Sequence, residues 1–160
     1  MMTHSETQEL WALIKEIPVA MLASVDGEII RSRPMHLIQN EFSGKLWFFT
    51  SKSSHKAKEV DRQPAVNLVF MDVKENRYVS LSGDAKITQD SELINKFWAP
   101  PASVWFPEGK NSDNVALLEV NIEAAEVWDI RTGKITQLLR IAKAKMNNEI
   151  PELGDHKQFA

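Results

Sequence analysis

The sequence predicts one α+β domain, mainly β, in which about six antiparallel strands close into a small barrel with a few helices outside it. Short runs rich in branched and aromatic residues recur along the chain, and turn signals such as "DG" and "SG" separate them. Several runs are apolar on both faces: Trp47 and Phe49 alternate with Leu46 and Phe48. One face can fill a barrel, so the other needs a cover of helices or of a second subunit.

A helix is predicted at the start of the chain, over residues 5–17. Ser5 and Gln8 have the spacing of a capping box, and leucine and isoleucine residues follow them at helical intervals. Pro18 ends this helix, because proline cannot donate the next backbone hydrogen bond.

The predicted strands follow this helix as separate runs. In chain order they are "VAMLASV", "EIIRSRPMHLI", "KLWFFT", "AVNLVFMD", "YVSLSGDAKIT" and "VALLEVNIEAAEVWDI", the last long enough to bend or divide. Short helices are expected after Thr50, Asp90 and Gly133. We expect a single domain over residues 1–160, in which residues 146–160 form a mobile tail.

Composition argues against several classes of function. The chain has 160 residues and a formal net charge of -3, so it lacks the basic surface of a nucleic-acid-binding protein. It has no cysteine, and its four histidines are scattered without ligand spacing, which argues against thiolate chemistry and against zinc or haem sites. No apolar run approaches membrane-spanning length and the N-terminus does not resemble a signal sequence, so we expect a soluble, cytoplasmic protein.

One segment has the chemistry of an anion site. "KLWFFTSKSSHKAKEV", from Lys45 to Val60, changes within a few residues from an aromatic strand to hydroxyls, lysines and a histidine. A helix that begins there would offer free backbone N–H groups, a favourable dipole and movable ammonium groups, which suit a phosphate. The alternative is a serine-capped surface helix with solvated lysines.

A second segment breaks the pattern of the strand that contains it. "RSRPMH", from Arg31 to His36, places two arginines and a proline in this run, and proline removes a donor from the hydrogen-bonded ladder. Two interpretations fit. The run is an edge strand, or it is a strand whose exposed backbone faces a ligand.

Taken in order, six segments resemble one known family. They are "RPM" at 33–35, "LWFFTSKSSHKAKEV" from Leu46, "PAVNLVF" from Pro64, "YVSLSGDA" from Tyr78, "VWFPEG" from Val104 and "AEVWD" from Ala125. Their order and spacing are similar to those of the general stress protein 26 group of the pyridoxamine 5'-phosphate oxidase-like flavoproteins. The resemblance runs from about the first helix to Asp129.

This resemblance implies a split β-barrel that binds FMN and works as a homodimer, with the flavin in clefts at the subunit interface. A second subunit would account for strands that are apolar on both faces. On the second and third strands, the residues that the resemblance places along the flavin are Arg33, the backbone of Pro34, Met35 and His36, and the pair Phe49 and Thr50.

The resemblance also implies a phosphate-binding segment. Where the pyridoxamine oxidases have a Ser-Arg-Lys triplet that holds the FMN phosphate, this chain has Ser54, His55 and Lys56. His55 is a departure, because an unperturbed imidazole is mostly uncharged at neutral pH. Lys52 is our candidate for the missing charge.

The tryptophans divide into two groups. Trp11, Trp47 and Trp98 fit ordinary core packing. Similar family members place aromatic residues from the late segments near the flavin, from the partner chain, which makes Trp105 and Trp128 candidates. The alternative for each of these two is core or interface packing.

Function follows from the resemblance only in outline. It implies an FMN-binding general stress protein, and one candidate activity is that of a flavin-dependent oxidoreductase with an unidentified substrate. A true pyridoxamine 5'-phosphate oxidase is an alternative, but "WDIRTGKITQLLRIAKAKM" lacks the C-terminal arginine and histidine motif that holds the substrate phosphate in those enzymes. Another alternative is a non-catalytic flavin-binding or storage protein. The sequence does not decide between FMN and a related flavin such as F420.

Overall fold

The computed structural model of the chain describes residues 2–130, 141, 143–150 and 155–159. The helices are α1 His4–Ile14, α2 His55–Arg62, α3 Ser91–Phe97 and α4 Pro100–Trp105; the strands are β1 Val19–Asp26, β2 Ile29–His36, β3 Lys45–Ser51, β4 Ala65–Asp72, β5 Arg77–Thr88, β6 Val115–Asp129 and β7 Asp155–Phe159. The helices predicted after Thr50 and Asp90 are confirmed. The start of the helix predicted after Gly133 lies outside the described residues. No helix of the described part is long and apolar enough to cross a membrane.

The first helix begins earlier than predicted. Thr3 is its N-cap and forms the capping box with Glu6, so the assignment of this box to Ser5 and Gln8 was wrong. The Glu6 carboxylate accepts a hydrogen bond from the Thr3 backbone N–H at 2.7 Å. A carboxylate in the first turn also interacts favourably with the helix dipole, which a glutamine amide does not do to the same extent. The helix ends at Ile14, whose side chain is fully buried.

The strands form one antiparallel sheet in the order β2-β1-β4-β5-β6-β3, and β7 is added beside β6. β2 and β3, at the two ends of this path, come close to each other, but no hydrogen-bonded ladder joins them in the part of the chain that the structure describes. The sheet therefore curls toward a barrel without closing. The predicted α+β fold of antiparallel strands is confirmed, with seven strands and an open gap between β2 and β3.

β6 is the longest strand, and it pairs with three others. Val115–Asn121 pair with β3, Ala125–Asp129 pair with β7, and β5 lies along the opposite edge. The register between β5 and β6 shifts between Ser82 and Gly83. Such an irregularity bends a strand and increases its twist, so one long strand can serve both halves of the curled sheet.

The inner face of the sheet holds the main core. Its largest side chains, which are fully buried, include Phe48, Phe70, Leu22, Leu68 and Leu81. A second apolar cluster covers the outer face of β3 and the first part of β6, where α3 contributes side chains together with Trp98 and Phe106, which lie on either side of α4. Helices therefore provide the predicted cover for one two-sided strand, β3. On β4, by contrast, the outward side chain of Met71 is exposed.

The C-terminal residues correct another prediction. Residues 146–160 were expected to form a mobile tail, but residues 155–159 form β7 against the second half of β6. Phe159 is buried in the main core, and Lys157 forms an ion pair with Glu9 of α1. The tail prediction was wrong here because the edge of β6 beyond β3 offers backbone partners, which a local pattern does not reveal.

Candidate functional site

The turn between β3 and α2 gathers the hydroxyl groups of the polar segment. Ser54 is the N-cap of α2, and its side chain accepts a hydrogen bond from the backbone N–H of Ala57. The Ser54 hydroxyl lies 3.2 Å from the Thr50 hydroxyl, and the Lys56 ammonium donates to Thr50 Oγ1 at 3.4 Å. Thr50, Ser54 and Lys56 therefore converge where the strand ends and the helix begins. The serine cap of the alternative interpretation is present, and a buried threonine and a half-buried lysine accompany it.

Asn114 organises the loop that joins β3 to α2. Its side-chain oxygen accepts hydrogen bonds from Ser51 Oγ at 2.8 Å, from the Ser53 backbone N–H at 3.2 Å and from Ser53 Oγ at 3.0 Å. Its backbone carbonyl accepts from the Lys52 N–H at 2.9 Å. Asn114 lies next to this loop because β6 begins at Val115, opposite Ser51. No sequence signal pointed to it.

Arg33 reaches into the inner side of the sheet from β2. Its Nη2 atom lies 2.6 Å from Glu59 Oε2, and its Nη1 atom donates a hydrogen bond to Ser24 Oγ. The Ser24 hydroxyl in turn donates to the Glu59 carboxylate. Glu59 is 3% exposed, so this is a buried polar network. Sequence reasoning identified Arg33 but missed both of its partners.

The charges around Lys56 act against one another. Burial lowers the pKa of its ammonium group below the ordinary value, and the Arg33 guanidinium lowers it further, whereas the Glu59 carboxylate raises it. Lys56 is thus a cation that is partly removed from water and stands near a second cation. A phosphate at this position would interact favourably with both positive charges.

β2 lies at one end of the sheet, so the interpretation of "RSRPMH" as an edge strand is confirmed. Met35 is 5% exposed and packs in the main core, so only its backbone is available to a ligand. Pro34 and His36 are exposed on the other face. An edge strand also leaves one side of its backbone without a ladder partner, so the ligand-facing interpretation is compatible with this position.

The aromatic candidates lie in different places. Phe49 belongs to the outer apolar cluster and meets Trp98 edge to face, with ring centroids 5.6 Å apart. Trp105, in the last turn of α4, is 77% exposed.

The polar candidates Lys52 and His55 are exposed near the loop that joins β3 to α2.

Along the sheet of one chain, Trp128 lies far from the cluster of Thr50, Ser54 and Lys56. It is opposite Tyr78 on β5, whereas Thr50 is opposite Ala116 at the other end of β6. At the rise of an extended strand, the path along β6 from one end to the other is roughly 40 Å. Trp128 is 36% exposed, and its ring stacks on His156 of β7 with centroids 5.1 Å apart. Within one chain the structure does not bring Trp128 to Thr50.

The sequence matches the family profile described as "Pyridoxamine 5'-phosphate oxidase like" over residues 5–152. The chain belongs to the pyridoxamine 5'-phosphate oxidase-like family. It is 30% identical to general stress protein 26 of Bacillus subtilis over 119 residues, which are 72% of this chain and 83% of that protein. It is also 29% identical to a pyridoxine/pyridoxamine 5'-phosphate oxidase of Idiomarina loihiensis over 135 residues, but these span only 58% of the length of that enzyme.

Solved structures of two general stress proteins are similar to this chain in fold. A general stress protein 26 from Jannaschia sp. CCS1 superposes with a TM-score of 0.74 at 29% identity, covering 99% of each chain. A general stress FMN/FAD binding protein from Xanthomonas citri superposes with a TM-score of 0.71 at 27% identity, covering 82% of this chain and 93% of its own.

Proposed function

We propose that this chain is an FMN-binding general stress protein. The observation that carries the proposal is the half-buried ammonium of Lys56 beside the start of α2, with the Thr50 and Ser54 hydroxyls next to it. The first N–H groups of a helix have no intrahelical partner, and together with hydroxyls and an ammonium they form a donor set suited to a phosphate. The similarity to the Xanthomonas citri protein, which is named for FMN or FAD binding, supports a flavin at this site.

The proposed flavin site extends from this phosphate end along β2 and β3. Lys56, Ser54 and Thr50 hold the phosphate, and the backbone of β2 lies along the ring system. The full set that we assign to the flavin is Arg33, Pro34, Met35, His36, Phe49, Thr50, Lys52, Ser54, His55 and Lys56, with Trp105 and Trp128 of the partner subunit. The phosphate chemistry favours FMN over flavins that lack a terminal phosphate.

We further propose that the protein works as a homodimer with a flavin in each of two interface clefts. Apolar side chains on the outside of the sheet and on α4, such as Ile30, Met71 and Trp105, are exposed in the single chain. Trp128 and Thr50 pair at opposite ends of β6, which supports a contribution of Trp128 to the flavin site from a second subunit. A two-fold dimer would bury the same surface on both copies.

The proposed activity is that of an oxidoreductase with an unidentified substrate. FMN supplies hydride and one-electron chemistry when it is bound, and the chain's own residues bind and orient it. The similarity to the Idiomarina loihiensis enzyme favours pyridoxamine 5'-phosphate oxidation as a second candidate.

Turnover assays of the FMN-loaded protein with NADH, NADPH and pyridoxamine 5'-phosphate separate these activities. Oxidation of a nicotinamide cofactor supports the first candidate, and oxygen-dependent formation of pyridoxal 5'-phosphate supports the second. Flavin binding without turnover of any of the three compounds would favour a storage role.

A further inference from the structure

A buried carboxylate lies beside the proposed phosphate end of the site. Glu59 is 3% exposed; its Oε2 atom accepts hydrogen bonds from Arg33 and Ser24, while its Oε1 atom is buried without a hydrogen-bond partner in the described part of the chain. Burying a carboxylate is unfavourable, and its negative charge would also repel a phosphate. A residue of this kind next to an anion site requires a physical reason.

The geometry of α2 provides that reason. Glu59 and Lys56 are three residues apart in one helix, so their side chains lie on the same face. Arg33 approaches this face from β2 and forms its ion pair with Glu59 at 2.6 Å. One carboxylate therefore pairs with the cation from β2 and lies close enough to act electrostatically on the cation of its own helix.

Two cations placed this close repel each other unless a negative charge compensates. The charged groups that act on the Lys56 ammonium are Arg33 from β2 and Glu59 from its own helix, while Thr50 from β3 contributes an uncharged hydroxyl. Arg33 lowers the pKa of Lys56, in the same direction as burial, and Glu59 raises it. Without the carboxylate, Lys56 would lose its proton at a lower pH.

We propose that Glu59 is a positioning residue for the phosphate end: it fixes the Arg33 guanidinium and offsets the repulsion between the Arg33 and Lys56 cations, and so sets the preference for a phosphorylated flavin. This inference rests on the proposed function and adds to it the residue that allows both cations to stay in the site. The buried negative charge raises the selectivity of the site by preserving the cation that contacts the phosphate.

The preference is measured as the ratio of the Kd of riboflavin to that of FMN, by fluorescence titration between pH 7 and pH 10. Above pH 7 the phosphate is mostly a dianion, so its own titration contributes little. In the parent protein the ratio falls as the pH rises through the pKa of Lys56, because the ammonium that favours FMN loses its proton. Glu59→Gln keeps an oxygen that can accept from Arg33 and Ser24 but removes the charge. It should move this fall to lower pH.

Two other variants complete the comparison. Asp61→Asn removes an exposed charge from the same helix, and it should not change the pH at which the Kd ratio falls. Glu59→Asp keeps the charge at a shorter reach and should give a smaller shift in the same direction, so it replaces the glutamine variant if that variant does not fold. The proposal is overturned if the Kd ratio of the glutamine or aspartate variant falls at the same pH as that of the parent protein, or at a higher pH.

Lys56→Ala separates this inference from the proposed function. If this variant keeps the full preference for FMN, the phosphate site itself is wrongly placed. If it loses the preference while Glu59→Gln leaves the pH profile unchanged, the phosphate site stands and the role of Glu59 is wrong.

Discussion

Replacing Lys56 with alanine should weaken FMN binding selectively. The ammonium is half-buried, and its recorded hydrogen bond to Thr50 is long, at 3.4 Å, so it is available to move onto a phosphate oxygen. A hydrogen bond to a charged group contributes about 1.5–3 kcal/mol, a factor of about 10 to 100 in Kd. Arg33 cannot fully substitute for Lys56 because Glu59 already holds its guanidinium. Riboflavin has no phosphate, so its Kd should stay nearly unchanged.

Lys58→Ala is the matched control for this prediction. Lys58 is exposed on the same helix, and two residues along a helix correspond to a rotation of about 200°. Its side chain therefore points away from the Lys56 face, and its removal should change neither Kd. FMN and riboflavin are titrated into each variant by fluorescence. If Lys56→Ala weakens the binding of both ligands equally, or of neither, the phosphate assignment is wrong. The polar segment is then a serine-capped surface helix with solvated lysines.

Three further predictions follow from the fold and the proposed assembly. Gly83→Ala should lower the Tm by at least about 5 °C, because its Cβ would lie 1.9 Å from the Asn121 carbonyl oxygen; a melt close to the parent's would contradict the register of β5 and β6. FMN should quench tryptophan emission, and Trp128→Phe should remove much more of that quenching than Trp11→Phe; equal losses would exclude a special position for Trp128. Sedimentation should give a dimer, and a stable, flavin-saturated monomer at micromolar concentration would refute that proposal.

Local patterns predicted most of the fold. The alternation of residues such as Trp47 and Phe48 depends on neighbours in sequence, and each predicted run became a strand. The change from β3 to α2 was also visible, because Ser54 provides a helix cap through its own side chain.

Contacts between distant residues were missed. Glu59 is 26 residues from Arg33, and Asn114 is 63 residues from Ser51, so nothing in either neighbourhood marks the pair. β7 was missed for the same reason, because its five residues are stabilised by the free edge of β6 and by the burial of Phe159. In each case the partner is set by the topology of the sheet, which local periodicity does not specify.

The central claim is that the chain binds a phosphorylated flavin, and the visible absorption spectrum of the purified protein tests it most directly. After incubation with FMN and removal of the free ligand, we expect the bands of oxidised flavin. Acid release should yield FMN in an amount close to one molecule per chain. A colourless protein after the same treatment would contradict the account.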